Sequence, residues 1–455
     1  MRELAKPPQP GFVCAPECVT IDPMQAGKTT SLYERWQAIV AEKATALAVR
    51  EPACHRNLTF AELEELARQA PAAPPLLQTN ATGLALVVDV LRAWRDGSVL
   101  LPDDSGSMAV PETNALPEEV CHLKVTSGSS GQRRCVMFQA SHLMADAAQI
   151  VSTMQLRAET PNLAVISQAH SYGFSNLVLP LLLHGIPVWF LENPLPETLR
   201  SALRQSPAHT RFTLPAVPAM WRAWHRADVD FSRVALAISA GAPLPLELEQ
   251  AEYLRSGLKI HNFYGSSECG GIAFDATPQP RSDASLAGTP MDGVTVRLHN
   301  GCLRAESPAA GLGNVGSPES CTPGYFQTQD LARIGENGAI HLLGRSSDVI
   351  SVAGYKVAPE MVENAVQQIA GVRCCVAFGV PSSDPVRQEE VVVCVNHDPD
   401  HSLNAIRQNL TQLPSACVPR HWLSCPDLMP DARGKLSRPA WRQRWLATRD
   451  SISES

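Results

Sequence analysis

Two segments far apart in the chain carry residue types that could grip and react with polyanions. The first is Val125-Thr126-Ser127-Gly128-Ser129-Ser130-Gly131-Gln132-Arg133-Arg134. Its two glycines relax the backbone, so that several N–H groups can converge on an anion. Four hydroxyls add donors, and Arg133 and Arg134 add positive charge. The same composition also suits a flexible Ser/Gly connection. The second segment is Gly434-Lys435-Leu436-Ser437-Arg438, where Lys435 offers a point charge on a long stem. By itself a Gly-Lys pair also fits a solvated turn. A third segment, Gly27-Lys28-Thr29, has the tail of a nucleotide P-loop. A true P-loop needs glycine five residues before Gly27, and Asp22 stands there. A carboxylate where phosphate should sit argues against that reading.

These segments need a scaffold. The chain has 455 residues, too many for one core, which predicts two or more domains or subdomains. The first 30 residues, rich in proline and small side chains, read as a loose arm. Thr59 followed by Glu62 forms a capping box, and Phe60, Leu63, Leu66 and Ala67 supply a helical apolar stripe. Residues 83–101 read as an apolar helix ending near Gly97, then a short strand, Ser98-Val99-Leu100-Leu101. Helix-then-strand units continue to about residue 275 through Leu163-Ala164-Val165-Ile166 and Val234-Ala235-Leu236-Ala237-Ile238. That alternation predicts an α/β architecture with buried strands. After about residue 285, short strands such as Val294-Thr295-Val296-Arg297-Leu298 predict a small β-rich subdomain. From about residue 347 an α+β piece follows. Pro359 sits at a helix start with Met361, Val362, Ala365 and Val366 on one face, and Val391-Val392-Val393-Cys394-Val395 reads as a buried strand.

Composition narrows the function classes. The chain is 44% hydrophobic and 18% charged, ordinary for a soluble globular protein, and its 37 prolines predict rigid turns. A net charge of -7 argues against a general nucleic-acid or anionic-membrane partner. The start, Met1 to Pro8, has no apolar core of a signal peptide. The most apolar stretch, Leu177 to Leu191, is interrupted by Pro180, His184, Gly185 and Pro187 and falls short of the roughly 20 residues a membrane span needs. The 13 cysteines are scattered without a CxxC pair and read as free thiols in a reducing cytoplasm. Cys14 with Cys18, and Cys374 with Cys375, have no histidine at ligand spacing, which argues against a metal site.

The phosphate-type loop resembles the T-S-G-T/S-T-G-x-P-K-G loop of the adenylate-forming superfamily, which includes acyl-CoA synthetases, adenylation domains and luciferases. The match runs from Thr126 through Ser127, Gly128, Ser129 and Ser130 to Gly131, with Arg134 in place of the family's lysine and Arg133 in place of its proline. Further motifs follow in the family's order. Ser239-Ala240-Gly241-Ala242-Pro243-Leu244-Pro245 resembles the stretch that flanks adenine. Tyr264-Gly265-Ser266-Ser267-Glu268 resembles Y-G-x-T-E. The resemblance implies that Tyr264 stacks on adenine, Ser267 contacts the α-phosphate region and Glu268 binds Mg²⁺. Thr328-Gln329-Asp330 resembles T-G-D, whose aspartate holds the ribose, with Gln329 departing from glycine. Gly344-Arg345 begins the hinge motif, and Arg345 would also reach the ribose. Ser347, with Asp348 next, stands at the hinge. Gly354-Tyr355-Lys356-Val357 resembles the loop that enters the site for thioester formation, and Gly434 to Arg438 resembles the closing G-K-x-x-R, which implies that Lys435 is the lysine catalytic for adenylation.

The resemblance covers about residues 58–440. It implies a large N-terminal AMP-binding domain of αβ subdomains with a small β-rich subdomain, residues 1–346, and a small mobile α+β C-terminal lid, residues 347–455. It implies an AMP-forming acid–thiol ligase that uses ATP and Mg²⁺ and passes an acyl group to coenzyme A or to carrier-protein phosphopantetheine. The chain ends about 20 residues after Lys435, so a carrier would be a separate protein. Amino-acid-activating relatives place an aspartate in F-D-x-S. The corresponding stretch here, Ala169-His170-Ser171-Tyr172-Gly173, has no carboxylate, which favours a non-amino acid, aromatic or fatty. His170 would line the pocket or serve as a packing histidine. Gly173, Gly270 and Gly271 would leave room near the acyl group, and Cys269 reads as a small packing residue. Two alternatives stay open: a stand-alone amino-acid adenylation enzyme, and a degenerate AMP-binding scaffold motivated by Arg133, Arg134, Gln329 and Ser347.

Overall fold

The computed structural model describes residues 31–103, 116–127, 133–317, 324–384, 387–410, 413–430 and 436–453. The loose arm with Cys14, Cys18 and Gly27-Lys28-Thr29 lies outside the described residues, as do Gly128, Ser129, Ser130, Gly131, Gly434 and Lys435.

Local signals place the first elements. Thr59 caps the helix Phe60–Gln69, and both halves of its box with Glu62 are formed. The helix Gly83–Asp96 ends at Gly97, whose φ of 67° is the left-handed turn that glycine accepts, and the strand Val99–Pro102 follows. Prolines open helices here as much as they break them: Pro196–Gln205, Pro218–Arg226 and Pro359–Gln367 all begin on one. In the last of these Val362 and Val366 are buried, whereas Met361 is 48% exposed and does not share their face.

The centre is an α/β sheet. Strands Leu47–Glu51, Val188–Phe190, Asn162–Ala164, Phe212–Ala216, Val234–Ser239 and Ile260–Ser266 run parallel in that spatial order. Burial of both faces explains their apolar runs; every residue of Phe212–Ala216 is buried. The apolar stretch before Val188 is a buried helix, Leu179–His184, closed by left-handed Gly185. Hydrogen bonding continues past Ile260–Ser266 into antiparallel strands, among them Gly270–Phe274, Leu286–Pro290, Tyr325–Ile334 and Ile340–Arg345, which form the β-rich part. A separate sheet pairs Leu76–Thr79, Val99–Pro102, Val120–Ser127 and Arg133–Gln139. The C-terminal part has its own sheet, Val372–Pro381, Glu389–His397 and His421–Ser424, and its own apolar core. No helix among the described residues is long and apolar enough to cross a membrane.

Candidate active site

Ligands on parallel sheets bind where the strands end at their carboxyl side. At that edge the register pairs Ser239 with both Ala216 and Asn262. Gly241 and Tyr264, each two residues further on, therefore stand at one level, Gly241 past its strand's end and Tyr264 still paired with Ala273. Gly241 turns with a φ of 84°, leading into Ala242 and Pro243 on an accessible loop. The Tyr264 hydroxyl donates to Asp330 Oδ2 at 2.5 Å, and Arg345 Nε donates to Asp330 Oδ1 at 3.2 Å. Asp330 and Arg345 are cross-strand partners, and the Thr328 hydroxyl accepts the Asp330 N–H at 3.1 Å. Three motif residues separated by up to 81 positions thus meet around one carboxylate, with 345 − 264 giving the span. Burial, then the Asp330 carboxylate, pushes the Tyr264 phenol well above its ordinary value, so it stays a hydrogen-bond donor at neutral pH.

Beyond Tyr264 the chain makes a hairpin. Ser266 pairs with Gly270, and Ser267, Glu268 and Cys269 form its turn. Gly265 is required there, since a Cβ would stand 2.6 Å from the Gly270 carbonyl. The Ser267 hydroxyl accepts from the Ser171 hydroxyl at 2.8 Å, which brings the His170-Ser171-Tyr172-Gly173 segment to the hairpin. His170 is half-buried and stands at the N-cap position of that segment's short helix. Tyr172 points to the strand ends, with its hydroxyl 3.4 Å from the Ala216 carbonyl and 3.5 Å from that of Ile238. The Glu268 carbonyl accepts the Gly311 N–H at 2.8 Å, and Leu312 and Val315 bond back to Met137 and Cys135. This stretch ties Glu268 to the strand Arg133–Gln139. That strand pairs Arg134 with Thr126 and Arg133 with Ser127, so the two ends of the phosphate-type loop are held together. Arg134 is exposed.

The expected room at the glycines is occupied by protein. A Cβ on Gly173 would lie 2.1 Å from the Ser167 carbonyl oxygen, on Gly270 2.2 Å from Asp146 Oδ1, and on Gly271 2.4 Å from Met291 Sδ. In the direction a side chain would take, each of these glycines packs closely against protein.

Around the expected hinge, Arg345 and Ser346 are fixed to the β-rich part; the Ser346 N–H donates to the Gln329 carbonyl at 2.8 Å. Asp348 is held from the other side by Arg438 at 2.7 Å, which also pairs with Glu360 and Glu363 at 2.7 Å each. Ser347 lies between these anchors, its hydroxyl 2.9 Å from Asp348 Oδ1. Gly354, with a φ of 83°, turns an exposed hairpin in which Tyr355 is 67% exposed and Lys356 Nζ donates to Ser351 Oγ at 2.7 Å.

One constellation escaped sequence reasoning. Lys124 Nζ lies 3.3 Å from Asp146 Oδ2, and the Ser175 hydroxyl donates to the same oxygen at 2.5 Å. Gly271 N–H donates to Asp146 Oδ1 at 3.4 Å, and Lys124 sits 4.6 Å over the Phe138 ring. Lys124 is 4% exposed and Asp146 1%. Beside them His122 stacks on Phe174 at 4.3 Å, and burial, helped by Lys124, holds its pKa well below the ordinary value. A sequence signal existed: Asp146 interrupts the buried face formed by Leu143, Ala147 and Ile150 on the helix Ala140–Thr153.

Comparison with known proteins gives this arrangement a family. The profile described as AMP-binding enzyme matches residues 41–313. A putative acyl–CoA ligase of Bacillus subtilis is 26% identical over 308 residues, 63% of this chain and 60% of that protein. A probable 2-succinylbenzoate–CoA ligase of Mycobacterium tuberculosis is 27% identical over 364 residues, 76% of this chain and 89% of that protein. The chain spans about 60% of the length of the first curated relatives it matches. The crystal structure of ATP-bound MatB from Rhodopseudomonas palustris superposes with a TM-score of 0.80 at 18% identity, over 92% of this chain and 99% of that one. With the family profile over well more than half of its length, this chain belongs to the AMP-binding enzymes of the adenylate-forming superfamily.

Proposed function

We propose that the protein is an AMP-forming acid–thiol ligase. It activates a non-amino carboxylic acid with ATP and passes the acyl group to the thiol of coenzyme A or of a carrier protein. The observation that carries this reading is the meeting of Tyr264, Asp330 and Arg345 at the strand ends, one hairpin away from the Ser171–Ser267 contact.

Each group has work suited to its chemistry. Asp330, already braced by two donors, has acceptor capacity left for the ribose hydroxyls. Tyr264 and the Gly241-Ala242-Pro243 loop would flank adenine. The loop from Thr126 to Arg134 would hold the β- and γ-phosphates. Glu268 is a single half-buried carboxylate on a turn tied down by its backbone. That fits Mg²⁺, which takes one or two carboxylates and completes its shell with phosphate oxygens and water. When bound, the ion would neutralise phosphate charge. In the first step an acid oxygen bonds to the α-phosphorus, the bond to the bridging oxygen breaks and pyrophosphate leaves. Lys435 would bridge the two approaching anions as a point charge. In the second step the thiolate bonds to the acyl carbon and AMP leaves.

We place the boundary between an N-terminal unit, residues 1–346, and a C-terminal lid at Ser347, inside the turn that the Asp348 N–H closes on the Arg345 carbonyl and just before the Asp348 carboxylate meets Arg438. The Gly354-Tyr355-Lys356 hairpin would then serve the thiol step after rotation. The relatives' names favour coenzyme A as acceptor. A pyrophosphate-release screen over aryl and fatty acids, with and without coenzyme A, tests the proposal. Release that needs an acid and thioester that needs the thiol support it. Amino-acid-dependent exchange alone would favour the amino-acid adenylation reading, and AMP binding without release the scaffold reading.

A further inference from the structure

The Lys124–Asp146–Ser175 group lies directly behind the acid segment. Ser171 and Ser175 are one helical turn apart on the same face. Ser171 meets Ser267 at 2.8 Å, and Ser175 meets Asp146 at 2.5 Å. Asp146 in turn packs on Gly270 and accepts from Gly271, the residues that follow the Ser267-Glu268-Cys269 turn. A file of polar groups therefore runs from the hairpin where the acid carboxylate would react to a buried ion pair one helical turn deeper. Where a Cβ on Gly271 would stand, Met291 and Phe263 fill the space.

We infer that the Lys124–Asp146 pair closes the inner end of the acid site, so that the preferred substrate is a compact carboxylic acid ending in a hydrogen-bonding group and not a long-chain fatty acid. This rests on the ligase reading above. An alkyl chain pressed onto the pair would separate Lys124 or Asp146 from partners that hydrocarbon cannot replace. A hydroxyl at the far end of a short acid could instead join the file through Ser175.

The test measures kcat/KM for acid-dependent pyrophosphate release with hydroxybutyrate, butyrate, hydroxybenzoate, benzoate, octanoate and dodecanoate. Two enzymes are compared, the native chain and the double variant Lys124→Met/Asp146→Leu. The native enzyme should favour a hydroxylated short or aryl acid over dodecanoate by roughly a hundredfold, and the variant should narrow that ratio by roughly tenfold. If the apolar pair fails to fold, Lys124→Gln/Asp146→Asn carries the same test with a shift of about threefold. Native preference for octanoate or dodecanoate overturns the inference and leaves the ligase reading intact. So does an unchanged acid profile in a folded variant. Release with none of the acids refutes the ligase reading, and the inference with it.

Discussion

Two polar constellations lie within one hairpin of each other and are built in opposite ways. Tyr264, Asp330 and Arg345 form a half-open group in which the Arg345 side chain is 54% exposed and one carboxylate keeps capacity for a ligand. Lys124, Asp146 and Ser175 form a closed group, with the two charged side chains 3% and 2% exposed and paired to each other. The open group can exchange partners with a nucleotide. In the closed one the two charges are committed to each other, and removing either leaves the other stranded in a low-dielectric interior. The contrast separates a surface that does chemistry from a floor that shapes it.

The strongest challenge to that contrast is the single substitution Asp146→Leu. It should destabilise the fold by about 3–5 kcal/mol, because the Lys124 ammonium loses its counter-charge. The paired Lys124→Met/Asp146→Leu change should recover most of the loss in urea unfolding. A single variant as stable as the native chain would mean the pair is not the buried unit described. Next in size, Lys435→Ala should lower acyl-AMP formation by roughly 10²–10³-fold while sparing thioester formation from supplied acyl-AMP. Equal loss of both half-reactions would contradict the division of labour. In the open group, Asp330→Ala should weaken kcat/KM for ATP by about 1.5–3 kcal/mol, roughly tenfold to a hundredfold, with little change in melting temperature. Tyr264→Phe should cost less, about 1 kcal/mol.

A separate effect, on the pH dependence of stability, concerns the far end of the acid segment. Burial, with Arg35 nearby, lowers His184 from 6.5 to about 4. The unfolded imidazole takes its proton near 6.5, so below that pH the unfolded chain binds more protons than the folded one. Stability should therefore be full above about pH 6.5 and decline as pH falls through about 4. His184→Gln should flatten part of that decline in thermal melts, and an unaltered slope would remove His184 from the account.

The legibility of these regions in the sequence differs for physical reasons. Thr59 with Glu62 and the Gly97 stop act over a few residues, so local spacing reveals them. The Tyr264–Asp330–Arg345 group is assembled by strand pairing over long separations, and only the order of motifs pointed to it. Lys124 and Asp146 belong to no motif; Lys124 reads as an ordinary charged residue, and Asp146 shows only as a break in an apolar helical face. The glycines misled in the other direction. An absent side chain suggests space, but whether space exists depends on which atoms the fold brings there, here Ser167, Asp146 and Met291.

The central claim is that the open group serves acyl-adenylate chemistry. Mass-spectrometric detection of acyl-AMP from ATP, Mg²⁺ and a panel of acids, without thiol, tests it most directly. The account predicts an adenylate that accumulates with acid, disappears when coenzyme A or a phosphopantetheine thiol is added, and forms more slowly in Asp330→Ala and more slowly still in Lys435→Ala. Nucleotide bound without any acid-dependent adenylate in the native chain would contradict it.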